Sequence, residues 1–242
     1  MTCTIPFQPA LIPARFQRRL NQFLVEVDTG GGTATAHLAD PGRLVELLRP
    51  DAACCLRPVP AAGRKTAFTL ALVRSGGIWV SVDTTLPNRL VEIALRAGAI
   101  HEFRDYTLVR REVRQGRSRF DFHLMSAGMD ILLEVKSVTL ARDGVALFPD
   151  APTTRGARHL RELQAASGQG FMGTVLFIVQ RPDVRRLRPN AAIDPVFASR
   201  LAEAYRRGIE VLAYTAVPDP AGICLGRRIP VEWPPAAPEV SR

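Results

Sequence analysis

The chain has 242 residues, of which 47% are hydrophobic and 23% charged. This is the composition of a globular protein with a sizeable core, and it excludes a disordered tail, a collagen-like repeat and a small disulfide scaffold. The formal net charge of +9 favours polyanionic partners, above all nucleic acid, because cations that neutralise phosphates release condensed counterions. A genome that prefers arginine at basic positions would produce the same charge without any such partner.

No apolar run in the sequence approaches the roughly 18 residues of a membrane-spanning helix, and the first residues show no secretion-signal pattern. We therefore expect a cytoplasmic protein without a membrane partner. The four cysteines form no C-x-x-C pair, and the four histidines have no metal-binding spacing. We accordingly expect neither zinc nor a nucleotide cofactor.

The first part of the chain reads as a series of short strands separated by turns. These strands are predicted at residues 23–28, 33–38, 52–57, 66–74 and 78–82. A short helix is predicted at 43–48. Five short strands with one helical insert predict an OB-like β-barrel over residues 1–84, in which Trp79 and the phenylalanines are expected to pack in the core.

Further along the chain the hydrophobic period changes to that of helices alternating with strands. One helix, three strands, and then helix, strand, helix and strand are predicted at residues 86–98, 108–114, 119–125, 131–139, 153–164, 173–180, 195–207 and 208–217. This order predicts an α/β domain with a mixed central sheet over residues 85–232. A proline-rich tail is predicted at 233–242.

The hairpin formed by the second and third strands of this domain carries the sharpest functional signal. If Ser126 to Met129 form the turn, either two or four residues long, paired positions sum to 255, which places Asp121 opposite Glu134 and the apolar Phe122 opposite Leu133. Two carboxylates placed in this way lie about 5 Å apart and repel each other. A divalent cation that prefers oxygen ligands, Mg²⁺ or Mn²⁺, would remove the repulsion.

Two further residues are predicted on the same face. Lys136 follows Glu134 by two positions, and its ammonium could stabilise charge on a phosphate under attack or orient a water. A pairing sum of 233 with the preceding strand places Glu112 opposite Asp121. The sequence therefore predicts a catalytic cluster of Asp121, Glu134, Lys136 and Glu112, with Asp121 and Glu134 as metal ligands. The alternative is a solvated sheet face on which Lys136 merely pairs with Glu134.

Asp121 followed by Glu134-Val135-Lys136, on this order of helices and strands, resembles the PD-(D/E)xK core of restriction-endonuclease-like proteins. More closely, the chain from about residue 16 to 231 resembles the sugar fermentation stimulation protein A (SfsA) family. The stretches that carry this resemblance are residues 40–44, 87–90, 112–113, 118–122, 133–139, 148–163 and 207–212. The stretch at 148–163 is the most specific of them.

The resemblance implies an N-terminal OB-like barrel followed by a restriction-endonuclease-like domain. It also implies a DNA-binding protein linked to the regulation of sugar metabolism. Asp121, Glu134 and Lys136 match the nuclease positions, and Glu112 is a further acidic candidate. Glu112 could hold a second metal ion or a water.

Basic residues near these stretches are candidates for contact with DNA. Arg155 and His159 share a face at the start of a helix, a position that suits phosphate binding. Arg43 and Arg89 could contact backbone phosphates, and all four residues could equally be solvated surface positions. The chain also departs from the family pattern, because Asp40 begins a D-P-G turn where N-T-G is expected.

We therefore predict a DNA-binding protein of the sugar fermentation stimulation type with a Mg²⁺- or Mn²⁺-dependent phosphodiesterase site. One alternative is a non-catalytic DNA-binding regulator of sugar-metabolism genes on the same fold. Another is a sensor whose barrel domain binds a sugar-related or nucleotide ligand. DNA is favoured over RNA as the partner, sequence specificity is expected to be weak, and a homodimer is compatible with the sequence.

Overall fold

The computed structural model of the chain describes residues 3–60, 63, 65–126 and 128–233. In chain order its strands are β1 (Thr4–Pro6), β2 (Ile12–Asn21), β3 (Leu24–Asp28), β4 (Thr33–His37), β5 (Ala53–Pro58), β6 (Phe68–Ser75), β7 (Ile78–Ser81), β8 (Thr107–Gln115), β9 (Ser118–Ser126), β10 (Met129–Val138), β11 (Ala141–Arg142), β12 (Val145–Phe148), β13 (Phe171–Val179), β14 (Arg186–Pro189), β15 (Glu210–Asp219) and β16 (Gly222–Arg228). Its helices are α1 (Leu86–Arg96), α2 (Thr154–Ser167) and α3 (Pro195–Arg206).

Five strands close into a barrel, as the sequence predicts. They pair in the order β4-β3-β2-β5-β6, and β4 closes the ring by a parallel pairing with β6, where Ala36 lies opposite Phe68. β7 extends the barrel wall from β6. The interior is filled by apolar side chains such as Phe16, Val25 and Leu56, all of them buried. This filled interior is what makes the small barrel stable.

The helix predicted at residues 43–48 is wrong. The chain forms turns there, and Leu44 has a φ of +50°, a left-handed value that a right-handed helix cannot contain. Leu44 and Leu47 are nevertheless buried in the barrel core. The apolar residues whose spacing predicts a helix, Leu44 and Leu47, instead pack into the barrel core from a turn.

A seven-stranded mixed sheet forms the second part of the fold, in the order β1-β16-β15-β13-β10-β9-β8. β13 runs parallel to both β10 and β15, and the other pairs are antiparallel. Helix α1 and the outer faces of β5 and β6 pack on one side of this sheet, whereas α2 and α3 pack on the other. The predicted mixed central sheet is confirmed.

Local signals account for the ends of the helices. Thr153 caps α2, since its hydroxyl accepts the N–H of Gly156 at 3.0 Å, and Asp194 caps α3 in the same way through Phe197. Helix α1 ends before Gly98, whose φ of +63° suits a glycine at a helix C-terminus. Within the residues that the structure describes, no helix has the length and apolar character needed to cross a membrane.

Three parts of the fold differ from the predicted organisation. Residues Thr4–Pro6 pair with β16, so the start of the chain belongs to the large sheet and not to the barrel predicted over 1–84. A small sheet in the order β11-β12-β14 was not predicted, because its strands of two to four residues are too short to show a period. At the start of the predicted tail, Trp233 stacks on Tyr205 with ring centroids 4.6 Å apart, and residues 234–242 lie outside the described residues.

Candidate active site

The predicted register of the β9–β10 hairpin is confirmed. Phe122 lies opposite Leu133, as the sum of 255 requires. Backbone pairing of the two strands ends at this pair, and the next residue of β9, Asp121, instead uses its carboxylate. Its Oδ2 accepts the N–H of Val135 at 2.7 Å. A side chain thus continues the ladder and brings Asp121 against the β10 segment that carries Glu134.

Asp121 marks a change of face in β9. Phe122 packs in the core on the α1 side of the sheet, whereas Phe120, two residues earlier, packs in the core on the α2 side. Between them, Asp121 is partly buried, and its Oδ1 accepts a hydrogen bond from Asn88 Nδ2 of α1 at 2.7 Å. Burial raises the pKa of Asp121 to about 6, and the negative charge of Glu134 adds to this increase.

Glu134 is 4% exposed, and its carboxylate contacts two basic side chains, Lys136 and His159. Its Oε1 accepts hydrogen bonds from Lys136 Nζ, at 2.6 Å, and from His159 Nδ1. Burial alone would raise the pKa of Glu134, but the charge of Lys136 and the contact with His159 outweigh it and hold this pKa below its usual value. Its second oxygen, Oε2, is buried without a hydrogen-bond partner among the described residues.

The structure corrects the prediction that His159 contacts nucleic acid. Its side chain is 2% exposed, packs edge-on against Phe120 and contacts Glu134. Arg155 Nε donates to its other nitrogen, Nε2, at 3.4 Å, which places the ring proton on Nδ1. A buried imidazole cannot reach a phosphate on the surface, so His159 acts on the carboxylate of Glu134.

Glu112 is the second correction. The register of β8 and β9 follows the predicted sum of 233, with Arg111 opposite Phe122 and Val113 opposite Phe120. Glu112 itself has a φ of +53°, which breaks the alternation of a regular strand. Its side chain is 61% exposed and pairs with Arg119 at 3.4 Å. The structure therefore does not bring Glu112 into the site.

The remaining residues fit a divalent cation through two carboxylates. The unpartnered Oε2 of Glu134 and the raised pKa of Asp121 are both signs of negative charge that the chain does not fully compensate. Carboxylate oxygens are the ligands that Mg²⁺ and Mn²⁺ prefer. No group of three His, Cys, Asp or Glu side chains in the described part of the chain is arranged to hold a metal ion, so the chain offers these two ligands.

Sequence reasoning missed Asn88, although it lies within the stretch 87–90 that carries the family resemblance. A neutral amide on a helix gives no charge signal, and its role appears only when α1 packs beside β9. The three predicted arginines Arg43, Arg89 and Arg155 are exposed, and their contact with nucleic acid stays a prediction.

A cleft of about 380 Å³ lies between the barrel and the residues that follow Lys136 in β10. Asp40 and Asp150 line it, and each accepts a backbone N–H of the barrel loop: Asp40 from Gly42 at 2.8 Å and Asp150 from Arg43 at 3.0 Å. Burial raises the pKa of Asp40 to about 6 against the lowering effect of the Gly42 hydrogen bond, and the Asp150 charge adds to the increase. The carboxylate of Asp150 thus joins the barrel loop to the loop before α2, and its charge beside Asp40 makes this contact electrostatically costly.

The barrel surface carries an exposed aromatic platform. Phe16 is in the barrel core, as predicted, but Phe23 is 46% exposed and stacks on His37 with ring centroids 6.4 Å apart. Together with Lys65 these residues line an open cleft of about 510 Å³. The expectation that the barrel phenylalanines pack in the core is therefore wrong for Phe23.

Comparison with known proteins assigns both parts of the chain. A family model described as the sugar fermentation stimulation protein RE domain matches residues 85–222, and one described as the SfsA N-terminal OB domain matches residues 18–82. The OB domain confirms the predicted barrel fold.

Relatives match over almost the whole chain. It is 49% identical over 222 residues to a sugar fermentation stimulation protein homolog of Chloroflexus aurantiacus, covering 91% of this chain and 85% of that protein. It is 48% identical over 217 residues to a homolog of Moorella thermoacetica, covering 89% and 94%. Among solved structures, SfsA of Pyrococcus furiosus in complex with Ca²⁺ matches with a TM-score of 0.88 at 29% identity, covering 96% of this chain and 99% of that one.

Proposed function

The chain belongs to the sugar fermentation stimulation protein family, and from that premise we propose that it is a DNA-binding protein whose large sheet carries a metal-dependent phosphodiesterase site of the PD-(D/E)xK type. One observation carries the proposal. Glu134 is buried beside Asp121 and Lys136 and keeps one carboxylate oxygen without a hydrogen-bond partner. A buried charge that the chain leaves incompletely satisfied is costly, and such violations concentrate at functional sites.

Mg²⁺ or Mn²⁺ is the cofactor that this pair of carboxylates suits. Asp121 and Glu134 would hold it, because carboxylate oxygens are hard ligands. When bound, a divalent cation polarises a phosphodiester and makes water nucleophilic at neutral pH. The Pyrococcus furiosus relative, which was solved in complex with Ca²⁺, supports a divalent ion in this family.

The other residues of the site position the carboxylates and stabilise charge. Asn88 of α1 orients Asp121 from one side of the sheet, and His159 of α2 orients Glu134 from the other. Lys136 holds its ammonium 2.6 Å from Glu134 Oε1, in the position to stabilise the negative charge that develops on a phosphate under attack. Held from both sides, the carboxylates need little reorganisation when a substrate arrives.

A DNA-binding regulator without catalysis is the second candidate function. It is favoured by the contacts of Glu134 Oε1 with Lys136 and His159, which already compensate most of its charge. The lack of a third metal-ligating side chain among the described residues points the same way. In that case the cluster is an ion-paired part of the core and not a working site.

A cleavage assay on end-labelled single- and double-stranded DNA and RNA at low salt separates these functions. We expect cleavage with Mg²⁺ or Mn²⁺ and none with EDTA, and we expect DNA to be cut in preference to RNA. DNA that is retarded in a gel but stays uncut under every metal condition would favour the regulator. Failure to bind or cut any of the four polymers would contradict both functions.

The barrel provides a separate test of nucleic-acid binding. We expect Phe23→Ala to weaken the binding of single-stranded DNA about tenfold, because stacking of one base on an aromatic ring contributes about 1–3 kcal/mol. Fluorescence anisotropy with a labelled oligonucleotide in EDTA measures the affinity. Val45→Ala, which removes another exposed apolar side chain of the barrel domain, is the control and should leave it unchanged. Equal affinities of the two variants would contradict a role for the platform.

A further inference from the structure

The tip of the β8–β9 hairpin concentrates positive charge. Five of the ten residues from 110 to 119 are arginine, and all five are exposed. Two of them have acidic partners: Arg111 pairs with Glu92 at 2.7 Å and Arg119 with Glu112 at 3.4 Å. The other three, Arg110, Arg114 and Arg117, form no ion pair with any residue that the structure describes.

The strand register adds a repulsive pair to this surface. Arg114 of β8 lies directly opposite Arg119 of β9, and like charges at such positions destabilise a sheet. Arg114, Arg117 and Arg119 line a shallow cleft of about 340 Å³ together with Gly116 and Ser118. Three guanidinium groups around one concave surface form a site that an anion would stabilise.

The tip is held against α2 and the turn that follows this helix. Gln115 Nε2 donates to Gln169 Oε1 at 2.5 Å. Gly116 has a φ of +58° and packs so closely on Glu162 that a Cβ at this position would lie 2.2 Å from Oε2 of that residue. The arginines are therefore presented by an anchored turn, and the carboxylates of Glu112 and Glu162 are too few to neutralise them.

From these observations we propose that the hairpin-tip cleft, lined by the guanidinium groups of Arg114, Arg117 and Arg119, binds a backbone phosphate of the nucleic acid. The inference rests on the nucleic-acid binding in the proposed function. Ser118 is three residues from Asp121 along β9, which is about 10 Å of extended chain. One nucleic-acid strand can therefore lie over the carboxylates while a neighbouring phosphate occupies the cleft.

The test compares the salt dependence of DNA binding in the full-length protein. The probe is a fluorescein-labelled 20-base-pair duplex in EDTA, titrated at several salt concentrations. The Arg114→Gln/Arg117→Gln double variant should bind about tenfold more weakly, and the slope of log affinity against log salt should fall by about one to two, since each lost phosphate contact removes about one released counterion. The matched control is Arg185→Gln/Arg206→Gln, which also removes two positive charges, at exposed arginines without an ion pair to the described residues.

Three results are informative. A lower affinity and slope for Arg114→Gln/Arg117→Gln alone, with a melting temperature no lower than that of the wild type, support the cleft. An unchanged affinity and slope in that variant, while the wild type binds DNA, overturn the cleft and leave the proposed function intact. A wild-type protein that binds no nucleic acid overturns the proposed function, and the cleft with it.

Discussion

Replacement of Glu134 by glutamine is expected to lower metal-dependent cleavage of DNA about 100- to 1,000-fold, the size of effect seen when one charge-stabilising group is removed from an active site. Glutamine keeps the shape of the side chain and an oxygen that can accept from Lys136 and His159, so the fold should persist. The variant loses only the negative charge that would hold the cation. Initial cleavage rates under saturating DNA, with affinity measured separately in EDTA, give the comparison.

Glu112→Gln is the matched control for this prediction. It neutralises a glutamate on β8, two strands away from Glu134, that is 61% exposed and paired with Arg119. The cleavage rate of this variant should stay close to that of the wild type. The opposite pattern, with loss in Glu112→Gln and activity in Glu134→Gln, would show that the sequence-based placement of Glu112 is right and the structural one wrong.

Metal binding can be measured without catalysis. A cation that binds only the folded protein raises its stability, by about 2.7 kcal/mol at a concentration 100 times the dissociation constant. Mn²⁺ or Ca²⁺ should therefore raise the melting temperature of the wild type and of Glu112→Gln, and should have little effect on Glu134→Gln. The same shift in all three proteins would place the ion elsewhere.

The register of the candidate site was predictable because strand pairing is a matter of parity. Apolar Phe122 and Leu133 have to face the same core, which requires an even turn, and the placement of that turn at residues 126–129 then selects one register. The same arithmetic could not place Glu112, since a positive φ at a residue other than glycine leaves no mark in the sequence. The positive φ of Glu112 turns its side chain away from the predicted face.

His159 was predictable in part. Its spacing from Arg155 correctly indicated that the two side chains meet, and the structure joins them at 3.4 Å. The prediction of a surface role is wrong because the four-residue spacing from Arg155 does not show which side of the helix is buried, and His159 lies on the apolar stripe of α2. His159 precedes Leu163 by four residues, and both are buried. Helical periodicity therefore held the signal that His159 faces the core.

Elements defined by distant partners could not be predicted. β1 has three residues and exists through its pairing with β16 at the other end of the chain. Asn88 belongs to the site only because α1 packs beside β9, where the Asn88 amide donates to Asp121. In both cases the decisive neighbour is far away in sequence, and a local pattern carries no information about it.

Replacement of Asp40 by asparagine is expected to raise the free energy of unfolding at pH 7.5 by about 2–3 kcal/mol. Burial raises the pKa of this carboxyl to about 6, roughly two units above its ordinary value, and each unit corresponds to about 1.4 kcal/mol. Asparagine carries no charge and keeps an oxygen for the N–H of Gly42.

The pH dependence identifies the cause of this stabilisation. As the pH falls through 6, the folded wild type takes up a proton on Asp40 before the unfolded chain does so near pH 4, so the destabilisation is relieved between these values. The gain in free energy of unfolding from Asp40→Asn should therefore be complete at pH 7.5 and lost on acidification towards pH 4.

Urea unfolding of the wild type and Asp40→Asn at pH 7.5, 6 and 4.5 measures this gain. Asp105→Asn, at an exposed aspartate, should change stability by less than about 0.5 kcal/mol at every pH. A stability difference for Asp40→Asn that does not vary with pH would show that packing of the cleft loop, and not the buried charge, is responsible.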